Sequence, residues 1–284
     1  MAKNVSNNVT VIIPCYNDGA YVLEALQSVL TQTILPSKIY IIDDGSNTET
    51  KEILRNISNE RVEILFIKNQ GVCTARNYGI NKATTKYILT LDADDSFENT
   101  FIEKSVYILD NNTEVGVVCC FYKEFGEGAV NKDIIKPQGR AVTDFLTKNN
   151  GVASALFRKE CWVEVGGYDT QFENGYEDWD FWLSILKNSW KMEIIKEPLF
   201  NYRKKKSSRD TTAIALYDEE LRMKIFKKHK DLYTKNLDFI LQQMIYKNNI
   251  AQNQLEKLQK GREYRLGHSL LLPIKFLKQL VSTK

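Results

Sequence analysis

Residues 87–95 read YILTLDADD, and the reading of this stretch decides the fold. Tyr87–Leu91 is a short apolar run of strand-forming residues that passes without a break into Asp92, Asp94 and Asp95. Three carboxylates in four residues repel one another unless a cation or solvent screens them. Hard divalent ions such as Mg²⁺ and Mn²⁺ take oxygen ligands, typically one or two carboxylates together with substrate phosphates. In isolation the same residues serve as an acidic turn, with Asp95 or Ser96 capping the next helix. The surrounding sequence decides between the two.

Working outward, the same layout of strand followed by polar cluster recurs. Val9–Pro14 (VTVIIP) is a β-branched apolar run, and Val22, Leu26, Val29 and Leu30 after it share one helical face. Ile39–Ile42 predicts a second strand ending in Asp43-Asp44-Gly45-Ser46, and Thr48 is expected to cap a helix carrying Ile53, Leu54 and Ile57. Val62–Ile67 predicts a third strand, followed by a helix through Ala75–Lys82. This alternation predicts an α/β fold with a mostly parallel, doubly wound sheet flanked by helices. In such sheets ligands bind outside the carboxyl ends of the strands, where these polar clusters fall.

Residues 111–210 are less regular. Strands are expected near Val115–Tyr122, Val152–Phe157 and Lys191–Ile195, with a helix from Glu177 to Lys187. From about residue 212 the pattern is helical. The chain is therefore read as an α/β domain over 1–210 followed by a helical extension over 211–284.

An apolar fraction of 43% and a charged fraction of 26% in 284 residues are those of an ordinary globular protein. Cys15, Cys73, Cys119, Cys120 and Cys161 form no CxxC pair, and they read as buried thiols in a reducing compartment. There is no basic segment followed by an apolar run at the N-terminus and no apolar stretch of spanning length. A cytoplasmic location is expected, with a peripheral position at the inner face of the membrane if the tail binds lipid. The net charge of +3 is uneven: residues 211–284 hold 14 Lys/Arg against 7 Asp/Glu, a local +7, which leaves −4 on residues 1–210. A basic tail of this kind either meets an anionic surface or is a solvated helix face.

Val11–Asn17 (VIIPCYN), Ile41–Ser46 (IIDDGS), Gly71–Gly79 (GVCTARNYG) and Tyr87–Asp95 (YILTLDADD) follow one another. Gly166–Asp169 (GGYD) and then Glu177-Asp178-Trp179-Asp180 (EDWD) make a fifth match. In this order the segments resemble the GT-A fold glycosyltransferases of family 2, over roughly residues 8–210, which implies a GT-A catalytic domain over 1–210 with a nucleotide-binding half at 8–110 and an acceptor half at 111–210. Each motif is weak alone, and the register of all five makes the resemblance specific.

The resemblance implies an inverting transfer of a hexosyl or N-acetylhexosaminyl unit from a nucleoside diphosphate-sugar, with a UDP-sugar favoured. Pro14 and Tyr16 would hold the nucleobase, and Asp44 would accept from a base N–H. Arg76, with its rigid fork of donors, would reach the diphosphate or the base edge. Asp92 and Ala93 would contact the nucleotide sugar, and Asp94, supported by Asp92, would ligate Mn²⁺ or Mg²⁺. Asp178 would be the general base that takes the acceptor hydroxyl's proton. Glu177 and Trp179 would lie on the acceptor side, although aromatic residues such as Trp179 and Trp182 more often pack in the core. The carboxylates of residues 177–180 would also be favoured by a helix N-terminus, so structure alone would explain them too.

One departure concerns Tyr202–Ser208 (YRKKKSS), where many relatives carry YRxHxxS. Lys205 stands at the histidine position. A charged lysine cannot ligate a metal, but it can neutralise a diphosphate. The chain's own histidines, His229 and His268, have no evident metal-ligand partner.

Leu237, Leu241, Met244, Asn248, Ala251, Leu255 and Leu258 alternate spacings of four and three, a short heptad seam. It would pair two chains over 237–258 or pack on the catalytic domain. Residues 262–284 combine nine Leu, Ile, Phe and Val with five Lys/Arg, interrupted by Pro273, a composition suited to a membrane interface. The tail resembles, more weakly, those of bacterial polysaccharide-assembly transferases, which points to a glycan or lipid-linked acceptor. Two rival readings are an inactive scaffold of this fold at the membrane, which the intact acidic motifs oppose, and a nucleotidyltransferase, whose glycine-rich phosphate loop VIIPCYND does not supply. No nucleic-acid partner is expected.

Overall fold

The computed structural model describes residues 8–129, 133–205, 213–267 and 269–271. The chain divides into two compact units, the first ending at Leu232 and the second beginning at Tyr233.

The first unit opens with β1 (Val9–Cys15), α1 (Gly19–Leu30), β2 (Lys38–Asp44), α2 (Thr48–Arg55), β3 (Val62–Ile67), α3 (Val72–Lys82) and β4 (Tyr87–Thr90). It continues with β5 (Ser96–Phe97), α4 (Phe101–Asn111), β6 (Val115–Phe125), β7 (Leu156–Arg158), α5 (Lys159–Val165), α6 (Glu177–Leu186) and β8 (Lys191–Arg203). One eight-stranded sheet results, in the order β3-β2-β1-β4-β7-β6-β8-β5. The four strands β1 to β4 run parallel, as does β8 beside β6. Strand β7 is antiparallel to both β4 and β6, and β5 is antiparallel to β8. The sheet is the mostly parallel, helix-flanked one that the alternating pattern predicts.

Helix cover on both faces explains why β1 is buried along its whole length and reads as a continuous apolar run. Its side chains join Val22, Leu26 and Val29 of α1, and Phe101, Ile102 and Val106 of α4, in one core. Strand β1 lies between β2 and β4, so the strand order reverses there. That is the switch point at which a crevice opens beyond the carboxyl ends.

Several local expectations change. Asn47, not Thr48, caps α2: its side chain accepts the Thr50 N–H, and Thr48 becomes the first helical residue. Asp95 and Ser96 cap no helix, because Ser96 and Phe97 pair with Asn201 and Phe200 and α4 starts only at Phe101. The strand expected from Val152 begins at Leu156, and the strand expected to end at Ile195 continues to Arg203. All five cysteines are free and buried, as expected, and burial pushes the Cys15 and Cys119 thiols up to about 12.

After β8 a π-helical turn, Ala213–Tyr217, leads into α7 (Asp218–Lys228) and α8 (Lys230–Lys235). The second unit contains α9 (Leu237–Lys260), along which Leu237, Leu241, Met244, Leu255 and Leu258 are exposed. No helix among the described residues is long and apolar enough to cross a membrane. Of the basic apolar tail, residues 268 and 272–284 lie outside the described residues.

Candidate active site

The loops after β1, β2 and β4 surround a cavity of about 680 Å³. Pro14, Tyr16, Asp44, Asp92, Ala93, Asp94 and Lys205 all line it, together with Asn17, Asp18, Asn69, Glu173 and Arg203. Tyr16 is half exposed, leaving its ring open to a planar group.

The turns that shape this cavity are held by short polar links. Asn17 adopts a left-handed φ of 59°. Its N–H donates to Ser46 Oγ at 2.9 Å, and its Oδ1 accepts the Asn47 N–H at 2.7 Å, so the β1 and β2 loops brace each other. Gly45, at φ 74°, lies so close to the next loop that a Cβ there would stand 2.7 Å from the Asn69 nitrogen. The Asp44 carboxylate accepts the N–H groups of Gln70 at 2.8 Å and Gly71 at 2.9 Å. Burial raises its pKa, and these two amide bonds act against the rise. Each carboxylate oxygen has more than one acceptor site, so Asp44 can still take a further donor.

On the β4 side, Asp94 Oδ2 meets Lys205 Nζ at 2.8 Å, and the same ammonium reaches Asp18 Oδ1 at 2.6 Å. Burial raises the Asp94 pKa, with Asp92 and Asp18 adding to the rise and Lys205 opposing it. Asp95 Oδ1 accepts the Arg203 N–H at 2.7 Å, and Arg203 Nε donates to the Asp94 carbonyl at 2.8 Å. The Arg203 guanidinium lies between the Tyr21 and Phe125 rings, 4.6 and 4.2 Å from their centroids. Asp18 carries no signal in the sequence, because its importance comes from a partner distant in the chain, and Asn17 and Arg203 fall inside quoted segments whose contacts only the fold supplies.

Arg76 departs most from expectation. The resemblance sends it to the diphosphate or the base, but its side chain is 1% exposed and does not line the large cavity. Its two terminal nitrogens are committed to Asp92 Oδ1 at 2.6 Å and Glu177 Oε1 at 2.9 Å, and the guanidinium lies 5.3 Å from the Tyr168 ring centroid. Burial works against its charge, but Asp92 and Glu177 outweigh burial and hold it firmly protonated. Arg76 thus ties α3 to the loop after β4 and to the first turn of α6.

A second cavity, of about 180 Å³, shares Asp92 and Tyr202 with the first. Its other lining residues include Asp95, Tyr122, Glu177 and Lys204. Three carboxylates sit in the first turn of α6, and they differ in surroundings. Glu177 is buried against Arg76, and Asp180 is buried against Lys228 and His229. Asp178 is partly exposed, with Oδ2 accepting from Asn149 Nδ2 at 2.7 Å and Oδ1 from the Trp179 N–H at 2.8 Å. Trp179 is 3% exposed and donates its indole N–H to the Phe145 carbonyl, so it is a core residue. The GGYD loop is pinned by Asn77 of α3, whose side chain donates to the Tyr168 carbonyl and accepts from the Tyr168 N–H and the Trp162 indole. Among the described residues no three His, Cys, Asp or Glu side chains gather as a metal-binding group.

Comparison with known proteins places this architecture. The model of "Glycosyl transferase family 2" matches residues 10–164. An uncharacterized glycosyltransferase of Methanocaldococcus jannaschii is 28% identical over 204 residues, covering 69% of this chain and 70% of the relative. One from Haemophilus influenzae is 29% identical, with 72% of each chain covered. One from Rickettsia conorii is 41% identical over 115 residues, which are 39% of this chain and 19% of that longer protein. Among solved structures, S. aureus TarS 1-349 in complex with UDP superposes with a TM-score of 0.58 at 17% identity, covering 69% of this chain and 60% of that one. The same protein in complex with UDP-GlcNAc gives 0.61, covering 72% and 61%. The chain therefore spans about three fifths of the TarS chain and a fifth of the Rickettsia relative. With more than half of its residues matched by the family model and a GT-A-like sheet beneath them, the chain belongs to glycosyltransferase family 2.

Proposed function

We propose that this protein transfers a sugar, with inversion, from a nucleoside diphosphate-sugar to a hydroxyl of a glycan or lipid-linked acceptor in polysaccharide synthesis. The observation that carries the reading is the large cavity. Every residue expected at the nucleotide sugar except Arg76 lines it, at the switch point of the sheet. The UDP and UDP-GlcNAc complexes of TarS favour a UDP-sugar, of the hexosyl or N-acetylhexosaminyl class.

In this reading Pro14 and Tyr16 hold the base, Asp44 accepts its N–H, and Asp92 and Ala93 contact the ribose and sugar. Asp178 is the general base. Of the three acids in the α6 first turn it alone is partly exposed, and Asn149 and the Trp179 N–H fix its orientation. Its carboxylate accepts the acceptor hydroxyl's proton as that oxygen bonds to the anomeric carbon and the diphosphate departs from the opposite face.

The chemistry around Asp94 suits Mn²⁺ or Mg²⁺. Partial burial, with Asp92 and Asp18 beside it, raises the pKa of its carboxylate, which already attracts one cation, the Lys205 ammonium. Asp94, supported by Asp92, would hold the ion, with substrate phosphates completing the oxygen set. Bound there, it would stabilise charge developing on the leaving diphosphate. Lys205 adds a fixed positive charge at the same place.

A screen of UDP-, GDP- and dTDP-sugars for release of the diphosphate, with and without Mn²⁺, tests the reading. One donor class should be turned over only with the ion, and Asp94→Asn should abolish that turnover. Undiminished activity of the mutant in excess chelator defeats the metal assignment.

The exposed seam of α9 supports pairing of two chains through residues 237–258, which would present two basic apolar tails, residues 262–284, to one membrane surface. Sedimentation with anionic liposomes that weakens with salt, and is lost on deleting 262–284, is the expected result. A monomer that ignores liposomes at low salt defeats the membrane reading.

A further inference from the structure

Helix α7 touches α6 on both sides of Asp178. The residue that caps α6, Tyr176, holds a left-handed φ of 62° and makes no side-chain bond to the helix it caps. A bulky residue stays in that region only where its surroundings compel it. Here the Tyr176 hydroxyl donates to Asp218 at the start of α7, while Arg222 Nε grips both Asp218 oxygens at 2.8 and 2.9 Å. The Arg222 guanidinium lies 5.5 Å from the Trp179 ring centroid, and Trp179 meets the Tyr176 ring edge-on at 5.4 Å. The turn before Asp178 and the residue after it are thus covered by one end of α7.

The other end of α7 holds Asp180. Lys228 Nζ reaches Asp180 Oδ2 and Asp169 Oδ2, both at 2.7 Å, and His229 Nε2 reaches Asp180 Oδ1 at 2.8 Å. His229 is fully buried, and its Nδ1 has no hydrogen-bond partner among the described residues. An ionised carboxylate only accepts, so the contact requires a proton on Nε2. A buried histidine that leaves its second nitrogen unpaired stays in place for this one bond.

We propose that α7 and His229 form a clasp that fixes the Glu177-Asp178 turn, with Asp218 and His229 as its positioning residues. The inference rests on the reading of Asp178 as general base, and it extends the site beyond residues 10–164, where the family match ends. Neither Asp218 nor His229 lines either cavity. Their action passes through Tyr176 and Asp180 to the carboxylate between them.

The test follows hydrogen exchange by mass spectrometry in the full chain with UDP and MnCl₂, for wild type, Asp218→Ala, His229→Leu and His229→Gln. Residues 174–182 should exchange roughly tenfold faster or more in Asp218→Ala and His229→Leu, with residues 38–47 and 69–79 protected as in wild type. His229→Gln keeps a donor at the Nε2 position and should restore most of the protection. With the nucleotide sugar that the screen identifies, the two loss variants should lower kcat by roughly 10–100-fold and leave the donor KM within about threefold.

Unchanged exchange at 174–182, or a loss confined to KM, overturns the clasp. Faster exchange with a wild-type kcat overturns the positioning role. Asp218 is 38% exposed, so its variant decides the matter even if His229→Leu fails to fold. Full turnover by Asp178→Asn defeats the general-base reading instead, and the exchange rates at 174–182 still decide the clasp on their own.

Discussion

The two halves of the active site are built differently. At the end of β2 the acids are held by backbone groups of neighbouring loops, Asp44 by the Gln70 and Gly71 amides and Asp43 by the Ser46 amide, whereas Asp18 and Asp94 across the large cavity share the Lys205 ammonium. In the first turn of α6 the acids are held mostly by side chains from other elements: Glu177 by Arg76, Asp178 by Asn149, and Asp180 by Lys228 and His229. Backbone amides aimed by a strand end are rigid and largely indifferent to side-chain identity. A carboxylate held by a distant side chain depends on that residue and on the docking of the element that carries it. The loops after β2 are therefore the sturdier frame, and the first turn of α6 is where single substitutions should separate chemistry from binding.

The largest effect that could break this contrast is that of Asp178→Asn. The change keeps the shape and removes the base, so kcat should fall by roughly 10²–10⁴ with donor affinity little altered. Calorimetry with UDP and the donor checks the second half of the statement. Loss of donor binding in a stably folded variant would assign Asp178 to the nucleotide site and erase the distinction.

Arg76→Met sharpens the same contrast through stability. It leaves Glu177 and Asp92 without their shared cation, and Glu177 is 2% exposed. Removing one partner of a buried ion pair costs about 3–5 kcal/mol, which urea denaturation would read as a lowered midpoint. A variant as stable as wild type would show that the link between the halves is dispensable.

Lys205→Met should act only on the nucleotide side, and more weakly. A hydrogen bond to a charged group contributes about 1.5–3 kcal/mol, so UDP affinity should drop by roughly tenfold to a hundredfold. Thermal stability should change far less, because Lys205 is 26% exposed and its ion pairs are partly screened. Unchanged UDP binding would remove Lys205 from the phosphate site.

How much of the site is legible in the sequence follows the same divide. Pro14, Tyr16, Asp44 and Asp92 are readable because each stands at or just past a strand's end, and a strand's end in a parallel sheet has a known destination. Val152–Ala155 read as strand but form a loop, because an apolar run has the same composition in a strand and in a buried loop. The heptad seam of α9 is legible as a pattern, and its apolar positions are exposed along the helix. His229 is not legible, because a lone histidine carries no signal until its partner is known.

The α/β layout, the family and the place of Asp44, Asp92 and Asp94 were legible in the amino-acid sequence, since these rest on local periodicity and on motifs a few residues long, whereas Asp18 and Glu173 at the same cavity were not. Only the tertiary structure decided where the long polar side chains end. Arg76 meets Glu177 across 101 residues of chain, and Lys205 meets Asp18 across 187. A motif can specify that a guanidinium or an ammonium is present at a strand's edge. Its partner is set by which distant element packs within hydrogen-bond reach, and that follows from burial of the whole core.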